Sequence, residues 1–171
     1  MKKIIRIVTL LLALAFLLTS CKKEKKTCGE LLSAGLEYGI NGYANSGYIY
    51  LMDAEESSVL FISEKTRENM YGKRFLGVFS VLCDFAIYTS ASSPYEIAVF
   101  KCYSKNDTDE ILRMCYERAD KLKVGLKYTE WESASKWISV SVYKKYIIFA
   151  FTDSAERSEG AAERIIKLID D

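Results

Sequence analysis

Cys21 is the residue whose type and position point most directly to chemistry in this chain. It follows Leu18-Thr19-Ser20, which closes an apolar N-terminal stretch of a 171-residue sequence. A thiolate is a nucleophile, and a cysteine beside a membrane-seeking segment can carry a covalently attached lipid. Cys21 is therefore the predicted lipid-attachment site, and the rest of the chain is interpreted in relation to it.

The segment before Cys21 has the layout of a secretory signal peptide, residues 1–20. Residues 1–6 form a basic head, residues 7–18 are apolar, and Thr19-Ser20 is a small-residue exit. The apolar run is shorter than the roughly 20 residues that a membrane-spanning helix needs. With its cysteine, the segment resembles the lipobox of bacterial lipoproteins, in which the cysteine is lipidated and becomes the mature N-terminus. An uncleaved anchor and an ordinary signal peptide are the alternatives.

The lipobox resemblance implies a location as well as a modification. It implies a diacylglyceryl cysteine, whose two chains hold firmly because each buried methylene contributes about 0.8 kcal/mol. Residues 21–27 then form a lipidated, basic tether at the extracytoplasmic face of the cell membrane, with membrane lipid as the partner. Each lysine of the tether can add about 1 kcal/mol near an anionic surface. A solvated spacer explains the same lysines equally well.

Few other residues offer catalytic chemistry, because the chain contains no histidine. This excludes Ser-His-Asp and Cys-His catalysis and imidazole metal sites. Glu130 and Glu132 flank Trp131 and are a candidate carboxylate pair for glycoside hydrolysis, with a solvated loop as the alternative. For the serine-rich turn at residues 90–93, a Ser-Lys arrangement is the one catalytic alternative that remains, because there is no histidine to act as a base. Glu96, at the start of a predicted strand, is expected to make a structural hydrogen bond or salt bridge.

A cluster of acidic residues could also indicate a cation site. Asp107, Asp109 and Glu110 lie close together, but they lack the glycine-turned ligand spacing of an EF-hand. Capping of the helix that follows accounts for all three. We therefore predict no catalytic residue, no metal site, no cofactor and no enzymatic activity.

The net charge of the chain conceals an asymmetry along its length. The whole sequence carries +1, but residues 27–171 carry 17 basic and 22 acidic residues, or about −5. A domain of this charge does not attract the phosphate backbone, so nucleic acid is excluded as a predicted partner.

Four cysteines remain after Cys21, which permits three pairings in an exported chain. The absence of C-x-x-C excludes zinc-ribbon and thioredoxin-like sites. We expect Cys83 on a buried strand face and Cys115 on the inner face of a helix, where a free thiol behaves as a small apolar group. A Cys102–Cys115 disulfide is the alternative, provided that the two Cα atoms lie within about 7 Å.

Hydrophobic periodicity predicts a strand–strand–helix unit that occurs twice. The first unit has strands at residues 79–89 and 95–103 and a helix at 106–125, with Asp107 as its N-cap. The second has strands at 137–143 and 146–152 and a helix from Asp153. Each helix start fits a capping box, with Glu110 and Glu156 as the acidic partners.

Hairpins followed by helices favour an α+β fold. We predict two layers, an antiparallel sheet of two hairpins with helices on one face, in the order β-β-α-β-β-α. A helix at residues 28–38 precedes this core, and a short helix that ends at Gly72 lies between them. Residues 28–171 form the single predicted domain.

The segment Tyr95-Glu96-Ile97-Ala98-Val99-Phe100-Lys101 carries a resemblance to a known family. Together with residues 109–111, 117–120 and 146–153, it is similar to the bacterial lipoproteins grouped as domain of unknown function 4358. The resemblance covers residues 28–171 and implies a secreted or lipid-anchored single domain without an assigned activity. One departure is Lys144-Lys145, where the family tends to have glycine in a hairpin turn, so the turn type is open.

These observations predict a lipid-anchored envelope protein of unknown molecular activity. A non-enzymatic extracytoplasmic binding or assembly module, with an envelope protein as a possible partner, is the first hypothesis. A carboxylate-based cell-envelope hydrolase and a small substrate-binding lipoprotein of a transporter are the alternatives.

Overall fold

The structure is a computed structural model that describes residues 26–43 and 46–171. Its centre is a sheet of five strands, which are β1 (Gly47–Leu51), β2 (Leu82–Ser90), β3 (Glu96–Cys102), β4 (Ser139–Tyr143) and β5 (Tyr146–Phe151). All four pairings are antiparallel, and the spatial order is β1-β2-β3-β5-β4. The strand β3 is therefore the middle strand, bonded to β2 on one side and β5 on the other.

Within the described ranges, four α-helices and three 3₁₀ segments surround the sheet. The helices are α1 (Cys28–Gly39), α2 (Glu64–Tyr71), α3 (Thr108–Gly125) and α4 (Ala155–Asp170), and the 3₁₀ segments are Lys73–Val81, Lys105–Asp107 and Ser133–Trp137. No helix in the described ranges has the length and apolar character needed to cross a bilayer. The predicted α+β class, the antiparallel sheet and the β-β-α-β-β-α order after an N-terminal helix are confirmed.

The central strands bury both of their faces. Phe85, Phe100 and Phe149 point into one buried cluster, which also contains residues of α2, α3 and the Lys73–Val81 segment. Their neighbours in the chain point into a second cluster with α1 and α4. Helices thus cover the sheet from both sides, whereas the sequence predicted helices on one face. Both faces of β3 and β5 are apolar in runs of consecutive residues, which is the pattern of a strand buried on both sides.

Helices α1, α2 and α4 begin at residues whose side chains accept backbone hydrogen bonds, whereas α3 has no such side-chain cap. The capping boxes predicted for α3 and α4 are not formed. The Asp107 side chain makes no capping bond to α3; it accepts instead from the Ser104 N–H at 3.0 Å, within the preceding 3₁₀ turn. At α4 the N-cap is Ser154, whose Oγ accepts from the Arg157 N–H at 3.2 Å. Each predicted capping aspartate lies within three residues of a serine, and serine is an equally good cap.

The strand β2 begins later than the sequence predicts. Residues 79–81, read as strand, belong to the 3₁₀ segment, where Phe79 is buried without strand pairing. The ladder between β2 and β3 is irregular between Leu82 and Asp84. Cys83 lies at this irregularity and is only partly buried, whereas the prediction had it on a buried strand face. The alternation of apolar and polar residues in the sequence does not reveal such a shift in register between two strands.

The β4–β5 hairpin closes through Lys144-Lys145, as predicted. Lys144 has a φ of 54°, while Lys145 is not among the residues with positive φ. A type I′ turn requires positive φ at both central residues, so this turn is of another type. A non-glycine residue in the left-handed region is uncommon, and here Lys144 also donates to Asp170 on α4.

The four cysteines of the described chain are free thiols. The Cys102–Cys115 disulfide considered from the sequence is not formed, and Cys115 lies on the buried face of α3, as predicted. Burial, followed by the charge of Asp107, raises the pKa of Cys102 to about 11. Burial also raises the pKa of Cys115 well above its ordinary value. Thiols that stay protonated are poor nucleophiles, so these two residues act as core side chains.

The cap of α4 gives a direct test of the local structure. Ser154→Ala removes the acceptor of the Arg157 N–H and is expected to lower the free energy of unfolding by about 1 kcal/mol. Asp153→Ala, one residue earlier, removes only an exposed ion pair to Arg157 and is expected to cost less than about 0.5 kcal/mol. Urea denaturation of both variants measures the difference. A larger loss in Asp153→Ala than in Ser154→Ala would contradict this assignment of the cap.

Candidate functional site

A cavity of about 660 Å³ lies at the end of the domain where the tether joins it. We call it the tether-side cavity. Four segments line it, namely the start of α1, the residues after β3, the β4–β5 turn and the end of α4. Its apolar lining includes Leu31, Tyr146, Leu168 and Ile169. Because these segments are far apart in sequence, the cavity exists only in the folded domain.

Lysines surround this apolar surface. Lys26, Lys105, Lys144 and Lys145 line the cavity, together with Asp170 and Asp171. The balance of these side chains is therefore positive, although the domain as a whole is acidic. Such a combination of apolar floor and cationic rim suits the surface of an anionic lipid layer or an anionic amphiphile.

Hydrogen bonds fix the rim against α4. The Lys26 ammonium donates to the Leu168 carbonyl at 3.2 Å, which ties the beginning of the described chain to its end. Lys144 and the Tyr143 hydroxyl each donate to the Asp170 carboxylate at 2.6 Å. These two donors, with Lys144 first, lower the pKa of Asp170 below its ordinary value. Lys105 and Lys145 contribute to no salt bridge among the described residues.

The predicted lipid-attachment residue lies outside the described part of the chain. Cys21 and the tether lysines up to Lys25 are among the residues that the structure does not describe. Lys26 is the one tether lysine that it does describe, and it lines the cavity. The lipidation of Cys21 therefore stays a prediction.

Glu96 makes the structural ion pair that the sequence predicts. It is 1% exposed, and its Oε2 accepts from Arg118 Nη2 at 2.7 Å and from Arg118 Nε at 3.0 Å. Its other oxygen accepts from the Tyr71 hydroxyl at 3.2 Å. Arg118 also donates to the Met70 carbonyl at 3.4 Å. With both carboxylate oxygens engaged, Glu96 connects β3 to α2 and α3 and is not a free acid or base.

The candidate hydrolytic carboxylates belong to an exposed, turn-rich segment. Glu130 and Glu132 are both exposed in the turns between α3 and β4. Glu132 accepts from the Tyr128 N–H at 2.8 Å, so it stabilises its own turn. This agrees with the solvated-loop interpretation of the two residues.

The serine turn and the acidic cluster are likewise committed to local structure. Ser90 donates to the Ser46 carbonyl and accepts from the Ser92 N–H. Asp107 belongs to a capping box with Ser104, and Asp109 and Glu110 lie in the first turn of α3. Among residues 26–43 and 46–171, no group of three or more acidic or sulfur side chains has an arrangement suited to a metal ion.

Comparison with known proteins gives this chain no relative. No family model, no curated protein and no solved structure matches it. The similarity to the lipoproteins of domain of unknown function 4358 therefore stays a prediction, and the site has to be interpreted from its own residues.

Most of the tether-side cavity has no signature in the amino-acid sequence. Lys105, Leu168 and Ile169 belong to three different elements, and no spacing rule connects them. The sequence predicts Lys144-Lys145 only as a hairpin turn and not as part of a cavity. The predicted basic tether was the one usable signal, since it implied that a surface near residue 27 would face an anionic layer.

Tyr71 gives a pH-dependent test of the buried network. Burial, followed by the nearby Glu96 charge, raises the pKa of Tyr71 well above its ordinary value of 10. The folded state therefore keeps a proton that the unfolded chain loses, and stability is full below about pH 10 and falls as the pH rises above it. Tyr71→Phe removes this contribution, so its stability is expected to fall less steeply above pH 10.

The measurement is the urea midpoint at about pH 9 and at about pH 11 for the wild type and each variant. The buried cysteines titrate in every variant, so the difference between variants isolates Tyr71. Tyr116→Phe, which alters an exposed tyrosine of α3, is the control and should keep the wild-type dependence. Equal slopes for the wild type and Tyr71→Phe would contradict the assignment.

Proposed function

We propose that this chain is a lipid-anchored protein of the bacterial cell envelope, held by an acylated Cys21, and that its folded domain is a non-enzymatic binding module. The observation that carries the proposal is the position of the tether-side cavity. Lys26 belongs both to the basic tether and to the cavity rim. A lipid on Cys21 would therefore hold this positive, apolar-lined end of the domain close to the bilayer.

The energies involved favour a stable attachment with one preferred orientation. Two acyl chains supply the attachment, since each buried methylene contributes about 0.8 kcal/mol. The rim lysines add about 1 kcal/mol each only when they lie close to an anionic surface. The acyl chains thus determine whether the domain is bound, and the lysines determine which end faces the lipid.

The described residues favour the binding module over the two alternatives. A hydrolase needs two carboxylates that face one substrate, whereas Glu130 and Glu132 are exposed in turns. A transporter receptor needs a cleft between two lobes, whereas the described chain builds a single sheet with helices on both faces.

The anchor is tested by metabolic labelling in a bacterium that expresses the full chain. Cells receive an alkyne analogue of palmitate, and the labelled protein is measured in the membrane fraction. The wild type should be labelled and recovered with membranes, while Cys21→Ala should lose the label, because the four thiols of the described domain are buried or partly buried. The unmodified precursor of Cys21→Ala should also migrate more slowly.

Cys83→Ala is the matched control for that experiment. It removes the one partly exposed thiol of the described domain and should keep both the label and the membrane recovery. Equal labelling of Cys21→Ala and the wild type, or an unlabelled wild type, would refute the proposed anchor.

A further inference from the structure

A second cavity, of about 270 Å³, lies at the opposite end of the domain. We call it the distal cleft. It is lined by Gly39 at the end of α1, by Tyr95 just before β3 and by Asp153 just before the cap of α4. The opposite ends of these three elements line the tether-side cavity. Seven residues of β3 span about 24 Å, so the two cavities are separated by the length of the sheet.

One wall of the distal cleft is aromatic. Tyr95 and Trp131 line it, with ring centroids 5.3 Å apart and planes at 80°. The Tyr95 ring also packs edge-on against Phe151, at 5.8 Å and 86°. Since Phe151 is fully buried, Tyr95 is held by the core and in turn positions Trp131, which is partly buried. The aromatic wall is therefore preformed.

The rest of the cleft is mostly polar. Asn41, Ser92, Ser93 and Asp153 line it. Arg157 lies behind and donates to Asp153 at 2.8 Å. With the Asn41 carboxamide oxygen turned toward Arg157, that oxygen accepts from both terminal nitrogens, at 3.1 and 3.2 Å. The Asn41 amide N–H groups then remain as donors, beside the hydroxyl groups and the Asp153 carboxylate.

This combination selects a class of ligand. None of the lining residues is basic, and the charge of Asp153 is paired with that of Arg157, so the cleft offers no excess charge and favours an uncharged ligand. A sugar ring fits better, because one face carries C–H groups that pack on aromatic rings and its edge carries hydroxyls that both donate and accept. Aromatic walls with a few placed polar groups are the usual make-up of small-molecule sites.

The size of the cleft limits the ligand further. At about 270 Å³ the cleft is slightly smaller than the usual range of ligand sites, about 300–1,000 Å³, so it holds no more than about one sugar ring. An acetamido substituent supplies an amide that pairs with Asn41 and a methyl group that packs on the aromatic wall. The sugars of the bacterial wall glycan carry this substituent, and they lie outside the cytoplasmic membrane.

We propose that the distal cleft binds an N-acetylated sugar residue of the envelope glycan, with Trp131 and Tyr95 as the stacking wall and Asn41 and Asp153 as hydrogen-bonding groups. This inference rests on the proposed function, since only an exported domain meets that glycan. The anchored end would face the bilayer while the distal cleft faces the wall.

Binding is tested on the purified full chain in a detergent that has no sugar headgroup. The chain has two tryptophans, so Trp137→Phe leaves Trp131 as the only indole reporter. Chitotriose, the trimer of N-acetylglucosamine, is titrated while tryptophan fluorescence and calorimetry are recorded. A saturable signal is expected from Trp131, and cellotriose, which lacks the acetamido groups, should bind at least about fivefold more weakly.

Variants of the cleft complete the experiment. Trp131→Ala, in the otherwise native chain and followed by calorimetry, should weaken chitotriose binding about tenfold or more, and Asn41→Ala should weaken it several-fold. Tyr116→Ala removes an exposed aromatic ring from the outer face of α3 and should bind as the wild type does. Circular dichroism and thermal unfolding verify that each variant is folded.

Three results would overturn the inference, namely no chitotriose binding by the folded wild type, equal binding by folded Trp131→Ala and the wild type, and equal binding of cellotriose and chitotriose. Each of them leaves the anchor unaffected if Cys21 is labelled. Loss of labelling would instead refute the anchor and say nothing about affinity for chitotriose in solution.

Discussion

The structure depends on the burial of β3 on both of its faces. Ala98 and Phe100 enter one cluster while Ile97 and Val99 enter the other, and β2 and β5 occupy both hydrogen-bonding edges. A carboxylate at the start of such a strand cannot remain in water. Glu96 is therefore paired with Arg118 and bonded to Tyr71, and removing one partner alone from a buried ion pair typically costs about 3–5 kcal/mol.

This constraint also explains the arrangement of the helices. An apolar face on each side of the sheet requires a helical layer on each side, and the chain supplies α1 and α4 for one and α2 and α3 for the other. The Glu96 network joins β3 to α2 and α3 by hydrogen bonds in addition to apolar contact. The two ends of the sheet remain uncovered by these layers, and both cavities are located there.

Much of the fold was predictable because periodicity and turns are local properties. The strands β2 to β5, the hairpin at Lys144-Lys145 and the helices α1, α3 and α4 follow from them. The second covered face was missed because a strand buried on both sides no longer alternates between apolar and polar residues. The cap of α4 was predicted one residue too early, because Ser154 can accept the same hydrogen bond as the neighbouring Asp153. Asp107 holds the predicted N-cap position of α3, but its side chain bonds to the Ser104 N–H and not to the helix.

The candidate sites likewise divide into one that local sequence can predict and two that it cannot. Cys21 is visible in sequence because its context is contiguous, whereas the two cavities are assembled from distant segments and have no local signature. Trp131 illustrates the difference, since the sequence showed it only between two glutamates, and the fold brings it to Tyr95.

The predicted tether is short, and its length limits how far the domain can lie from a lipid on Cys21. Six residue steps from Cys21 to Thr27 reach at most about 20 Å, so an acylated Cys21 keeps the start of α1 near the bilayer. Screening confines the attraction of the rim lysines to about 8–10 Å, so they act only in an orientation that brings the tether-side cavity close. The distal cleft, a strand length away, then faces outward.

The most direct test of this two-ended arrangement is hydrogen–deuterium exchange of the lipidated full chain, compared between anionic vesicles and detergent micelles. We expect slower exchange in vesicles at the Lys144-Lys145 turn and at residues 103–107, with residues 90–95 at the distal cleft unchanged. Slower exchange at residues 90–95, or no difference between the two ends, would contradict the account.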